Sequence, residues 1–172
     1  QILDPSTELH LLGVTRAGDM HKFQGFGVAS FDSTSPFRQA FKDAKDNYYV
    51  ADSTYVAIKV PQVDGNAALK RRISSGVVDQ SDAFQLERRT REILRDFDND
   101  KVSVDEVLEV LAEYSELAGL DNRTDEYRRT LTDRPWKECK CGICEKVGIE
   151  IVLFRGSERN KRRGFHNLAV FR

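Results

Sequence analysis

Long apolar runs are missing from this 172-residue sequence. No run of about 18 apolar residues occurs, which excludes a helical membrane span, and no signal-peptide pattern opens the chain. Cysteine is scarce. The three present stand together instead of forming an even-numbered set spread along the chain, which excludes a disulfide-built fold and points to a reducing, cytoplasmic setting. Neither sign of charge is in excess: the formal net charge is −1 although 32% of residues are charged, so the overall balance indicates no partner. Internal repeats and low-complexity tracts are absent. A hydrophobic fraction of 40% suits one globular domain with an ordinary core. The first residue is Gln1 and not Met, which predicts a piece of a longer chain.

The cysteines lie in Glu138-Cys-Lys-Cys-Gly-Ile-Cys-Glu145, and His166 follows 22 positions after the last of them. Cys139, Cys141, Cys144 and His166 make a complete tetrahedral shell for Zn2+, with no position left for water. Such a shell predicts a structural ion that staples the fold. Lys137, Lys140 and Lys146 nearby would favour thiolate over thiol.

The spacing predicts strands over residues 8–14 and 28–31, with a short helix over 19–26 between them. That is a βαβ unit with a parallel pair. Residues 37–46 read as a helix. Residues 48–50 and 55–60 have strand composition and suit a hairpin or an edge excursion. Further helices are expected over 67–74, 82–96, 103–118 and 125–131. The third of these opens on the capping box Ser103-Val-Asp-Glu106. Residues 148–154 read as a strand or a buried helical segment, and 155–163 as a basic loop.

Asp32 stands at the C-terminal end of the second strand, where α/β folds place their active sites. On pattern alone an Asp followed by Ser33 and Thr34 reads at least as well as a turn former. Arg38 suits a phosphate or base-edge contact, or an ordinary solvated position. Arg155, Arg159, Lys161, Arg162 and Arg163 suit a nucleic-acid backbone, or a solvated loop. Gly156 and Gly164 would let that segment approach a ligand closely. The run from Asp96 to Val107 imitates a calcium loop at first, but has Lys101 where the sharp turn needs Gly and Val107 where the bidentate Glu belongs. It reads as an interhelical turn.

Taken jointly, His10-Leu-Leu-Gly-Val14, Gly27-Val-Ala-Ser-Phe-Asp-Ser-Thr-Ser-Pro36 with Arg38 and Gln39-Ala-Phe41, the cysteine cluster, and His166-Asn167 resemble the C-terminal part of tRNA-guanine transglycosylases and of their relatives that act on DNA. The resemblance is weakest over residues 48–133. It implies an α/β fold: the C-terminal part of a (β/α)8 TIM barrel with inserted helices and a zinc-binding subdomain. Residues 1–47 would be the last two βα units, 48–133 a mainly helical insertion, and 134–172 the zinc-binding segment. It further implies Asp32 as a nucleophile that attacks C1′ of a guanosine, expels guanine and holds a glycosyl intermediate until a 7-deazaguanine base displaces it. Leu12 and Gly13 match the strand beside the base pocket, and Arg38 matches a contact to the nucleic acid.

The chain lacks the Ser-Gly-Arg-like insertion that tRNA enzymes carry after the position of Arg38. It adds residues 48–133 and the basic segment. These departures favour DNA over tRNA as the substrate, with a preQ0-like base. Two strands cannot close a base pocket, so the missing barrel strands, or a protein partner, are expected to complete the enzyme, and the chain alone is expected to be inactive. Two other functions compete: a non-catalytic zinc-stapled nucleic-acid-binding subunit, and a zinc scaffold that binds only protein.

Overall fold

The computed structural model describes residues 4, 7–13, 23, 25–42 and 46–170. Three two-stranded sheets and a set of helices make up the described chain. Strands β1 (Leu9–Leu11) and β2 (Val28–Phe31) pair in parallel with a register shift between Leu9 and His10. The expected strands and their orientation are thus present, the first cut to three residues by the bend at Leu12 and Gly13. The expected helix over 19–26 falls largely outside the described residues.

Helix α1 (Ser35–Gln39) starts earlier than expected, with Pro36 in its first turn, where a missing N–H costs nothing. It also stops earlier. The last N–H groups turn inward to i−3 carbonyls, as in Phe41 N to Arg38 O at 3.1 Å, and the buried Arg163 donates to Ala40 O at 2.6 Å. A tertiary partner takes the carbonyl that another α-helical turn would use.

Strands β3 (Tyr48–Tyr49) and β4 (Thr54–Tyr55) form a hairpin, one of the two arrangements their composition suits. The run 55–60 does not remain one strand. Its end, β5 (Ile58–Lys59), pairs in parallel with β6 (Leu153–Phe154). Helices α2 (Ala67–Ser74), α3 (Gln80–Asp98), α4 (Val104–Ala118) and α5 (Thr124–Asp133) follow. Helix α3 begins before the expected residue 82 because Asp79 caps it, accepting from Ser81 N at 2.7 Å and Asp82 N at 3.1 Å. The capping box at α4 is complete, with Glu106 Oε2 accepting from Ser103 N at 2.7 Å, and Gly119 closes the helix at φ 65°. Short helices α6 (Pro135–Glu138) and α7 (Cys144–Val147), a 3₁₀ turn (Gly148–Val152) and helix α8 (Ser157–Val170) complete the order.

The main core joins Tyr48, Ile58 and Val60 to Leu94 and Phe97 of α3, Val107, Leu111 and Tyr114 of α4, Leu131 of α5, and Ile149, Ile151 and Leu153. The aspartates of the calcium-like run are engaged by the protein itself, Asp98 at the core and Asp96 and Asp100 at the surface. Asp98 accepts from Trp136 Nε1 at 2.8 Å and from Ile149 N at 3.0 Å, Asp96 pairs with Lys101, and Asp100 pairs with Arg134. Carboxylates already held by these donors do not form a cation cage, and the segment is the interhelical turn its sequence suggested. No described helix is long and apolar enough to cross a membrane.

Candidate active-site loop and metal centre

The parallel pair delivers Asp32 immediately after β2. Its backbone N–H continues the sheet by donating to Leu11 O at 3.0 Å. Gly13 adopts φ +67°, a conformation that costs a residue with a Cβ. In that conformation its N–H donates to Asp32 Oδ1 at 2.6 Å. The sheet therefore brings Leu12, Gly13 and Asp32 together. Asp32 is exposed and Leu12 is 78% exposed, an unusual position for a large apolar side chain beside a carboxylate. Arg38 lies exposed in the last turn of α1. Below the carboxylate, His10 Nδ1 and Ser30 Oγ lie 2.8 Å apart across the strand pair, a link the sequence pattern does not flag.

The second centre is built where α6, α7 and α8 converge. The donor atoms of Cys139, Cys141, Cys144 and His166 all lie within 4.8 Å of one another. The three sulfurs stand 3.6, 3.4 and 3.3 Å from His166 Nδ1. A tetrahedral ion with metal–sulfur bonds of about 2.3 Å and a metal–nitrogen bond of about 2.0 Å separates S from N by about 3.5 Å. The three S–N separations thus match those around one tetrahedral ion.

The surroundings orient this cage. His166 Nε2 donates to Tyr49 O at 2.8 Å, which leaves the Nδ1 lone pair facing the sulfurs. The Tyr48 ring stacks on the imidazole at 4.2 Å, and its hydroxyl meets Cys144 Sγ at 3.4 Å. Burial lowers the His166 pKa, and Arg163 adds to the effect, so the ring stays a neutral ligand. Burial also pushes the Cys144 and Cys139 thiols up. Burial acts in the same direction on Cys141, but its hydrogen bonds, from the Cys144 N–H foremost, bring that thiol below its ordinary value. Lys137 plays a different part from the one expected: its ammonium group reaches Asp98, 2.7 Å from the carbonyl oxygen. A cation bound here would turn the two raised thiols into thiolates.

Helix α8 connects the two centres. Gly164 faces the ring of Phe37 in α1 so closely that a Cβ would lie 2.6 Å from Phe37 Cδ2. Asn167, next to the ligand His166, donates from Nδ2 to Pro36 O at 3.0 Å and to Asn47 O at 3.2 Å, and accepts from Tyr49 N at 3.0 Å. The helix that carries His166 thus also holds the helix that follows Asp32.

The basic segment is corrected. Residues 157–170 form a helix, and three of the five basic residues turn inward. Arg163 is fully buried and donates to Ile151 O, Leu153 O, Ala40 O and Asn160 Oδ1, so it is withdrawn from any surface contact. Arg155 pairs with Glu87, the two side chains being 5% and 11% exposed. Arg159 pairs with Glu150 at 2.6 Å. Lys161 and Arg162 remain exposed, Lys161 beside Glu158 at 2.8 Å. Gly164 admits a ring of the protein itself, not a ligand.

No family model matches the chain. The chain is 44% identical over 174 aligned positions, 98% of its length, to a DNA-guanine transglycosylase of Salmonella montevideo. This similarity supports the resemblance to guanine transglycosylases, and to their DNA-directed branch, that the sequence motifs carry. The chain spans 42% of the length of that relative.

Proposed function

We propose that this chain is the nucleophile-bearing part of an enzyme that replaces guanine in DNA by a 7-deazaguanine base of the preQ0 type. The observation that carries the reading is the exposed Asp32 carboxylate at the C-terminal end of a parallel strand pair, oriented by the Gly13 N–H at 2.6 Å. With Oδ1 held, Oδ2 is the oxygen that attacks C1′ of the target nucleotide. The C1′–N9 bond breaks, guanine departs, and a glycosyl ester forms on Asp32. The incoming base attacks C1′ through its ring nitrogen and releases the carboxylate. Covalent catalysis of this kind splits one difficult displacement into two easier ones. Leu12 and Gly13 line the base side, and Arg38 meets the nucleic acid next to the target.

In this reading β1 and β2 are the seventh and eighth strands of a (β/α)8 barrel, and the other strands supply the proton donor and the rest of the base pocket. Residues 1–47 carry the chemistry, 48–133 the added helices and 134–172 the metal segment. The ion is Zn2+, as three thiolates and one imidazole in a closed tetrahedron favour. Its part is to tie α6, α7 and α8 together. Lys161 and Arg162 are the exposed residues of the basic segment and meet DNA phosphates from the outer face of α8.

The test is to digest DNA and bulk tRNA from cells carrying the intact gene and to analyse the nucleosides by mass spectrometry, with Asp32→Asn cells as control. Deazaguanine nucleosides are expected in DNA and are expected to vanish in the mutant. Their presence only in tRNA would move the activity to that substrate. Their absence from both, with the base supply confirmed, would leave a non-catalytic binding subunit.

A further inference from the structure

Helix α3 carries Glu87, Arg91 and Arg95 at successive i, i+4 positions, which places them on one stripe. The ends of the stripe are neutralised. Glu87 Oε2 accepts from Val63 N at 2.6 Å, and its Oε1 accepts from Arg155. Glu150 Oε1 accepts from Arg95 Nε at 3.1 Å and from Arg95 Nη2 at 2.9 Å, while its Oε2 accepts from Arg159 Nε at 2.6 Å.

Arg91, in the middle, has no hydrogen bond or ion pair among the described residues, and its Nε is buried without a partner. Three guanidinium groups therefore share two carboxylates, and Arg91 adds a fourth positive charge beside them. The charges acting on Arg91 include Arg155, Arg95 and Arg159 against Glu150. A buried, unpaired N–H is costly, and neighbouring like charge adds to the cost. Nothing among the described residues repays it. A planar fork with an excess of positive charge around it matches an oxyanion bound bidentately, and a phosphodiester is the anion that suits it.

We propose that Arg91, flanked by Arg95, Arg155 and Arg159, seats a backbone phosphate of duplex DNA, on elements separate from the Asp32 loop and Arg38. This rests on the DNA reading above. The seat makes α3, within the added helices, a surface that orients the duplex while the strand end does the chemistry. Phosphate contacts of this kind fix position and carry no sequence information.

The test is binding of a labelled duplex by the zinc-loaded, full-length protein between 50 and 200 mM salt. Each lost phosphate contact lowers the slope of log affinity against log salt by about 0.9. Arg91→Ala is expected to show that loss, so the advantage of the wild type shrinks about 3.5-fold over this range. Arg88→Ala removes an equal charge from the same helix, at a side chain paired with Glu92 and 77% exposed, and is expected to keep the wild-type slope. Melting without DNA is expected to be no lower for Arg91→Ala than for wild type.

An unchanged slope in Arg91→Ala, or an equal drop in Arg88→Ala, overturns the seat while leaving the DNA reading intact. Failure of the wild type to bind duplex overturns both. Displacement by inorganic phosphate as effective as by unlabelled duplex, at matched ionic strength, would mark a free-phosphate site and also overturn it. Should Arg91→Ala not fold, Arg91→Lys is expected to keep the slope and bind several-fold more weakly, and unchanged affinity there overturns the proposal.

Discussion

Gly164 in α8 and Phe37 in α1 approach so closely that a methyl group on Gly164 would lie 2.6 Å from one ring carbon and 2.9 Å from the next. Gly164→Ala is therefore expected to push α1 off α8 and to cost about 1–3 kcal/mol, the usual range for overpacking. Urea unfolding midpoints measure it. Phe37→Leu added to Gly164→Ala is expected to recover much of the loss. Equal midpoints for wild type and Gly164→Ala would mean that the helices separate freely.

The metal cage makes a second prediction. Cys141→Ser is expected to lose the ion and to melt well below the wild type, since a structural site contributes its binding free energy to folding. Elemental analysis with thermal melting reads both quantities. A variant without metal but with wild-type melting would remove the ion from the account of stability.

Acid stability is expected to depend on Glu150. Burial pushes its carboxyl up, but the hydrogen bonds and charges of Arg159 and Arg95 outweigh it and hold the group below its ordinary value. A carboxylate with a depressed folded-state pKa adds stability that is fully present above the unfolded value of about 4.3 and is lost as pH falls through the folded value. Glu150→Gln is expected to cost about 1–2 kcal/mol at pH 7, a figure reduced for the partial exposure of both partners. The gap to wild type should close as the pH drops below about 4. Comparing the two chains at each pH separates this group from the metal site, which also releases its ion in acid. A gap constant from pH 7 to pH 3 would sink the assignment.

Glu87 and Arg155 form a buried pair, and the weight of its two halves can be separated. Glu87→Gln leaves the Arg155 charge uncompensated and is expected to cost about 3–5 kcal/mol. Replacing both by apolar residues of similar size is expected to cost less than that single change. Denaturant titration of the three chains decides it, and additive losses would argue against coupling.

What could be read from the sequence was local. The capping box of Ser103 and Glu106 spans four residues, the Cys-x-Cys-x-x-Cys cluster six, and the strand end at Asp32 only its neighbours. Helix α8 escaped because Gly156, Gly164 and five basic residues imitate a solvated loop. Gly164 is accepted in a helix interior, at a propensity cost of about 1 kcal/mol, because Phe37 packs against it from far along the chain. Charge counting could not place Arg155, whose partner Glu87 lies 68 positions away, nor foresee that Arg91 would have none. The two-residue strands β5 and β6 likewise owe their existence to a partner far along the chain, not to their own composition.

One such pairing has a consequence for how the protein is made. Ile58 joins Leu153, and Lys59 joins Phe154, so the core around them stays open while some ninety intervening residues are synthesised (about 5–20 s at typical elongation rates). The ligand His166 and the clamp residue Asn167 emerge later still. A nascent chain halted before α8 exposes the apolar faces of α3, α4 and α5 and lacks the histidine that completes the cage. Ribosomes that stall there hand the cell a substrate for chaperones and proteases, and α8, made after the elements it packs on, works as the seal on this part of the fold.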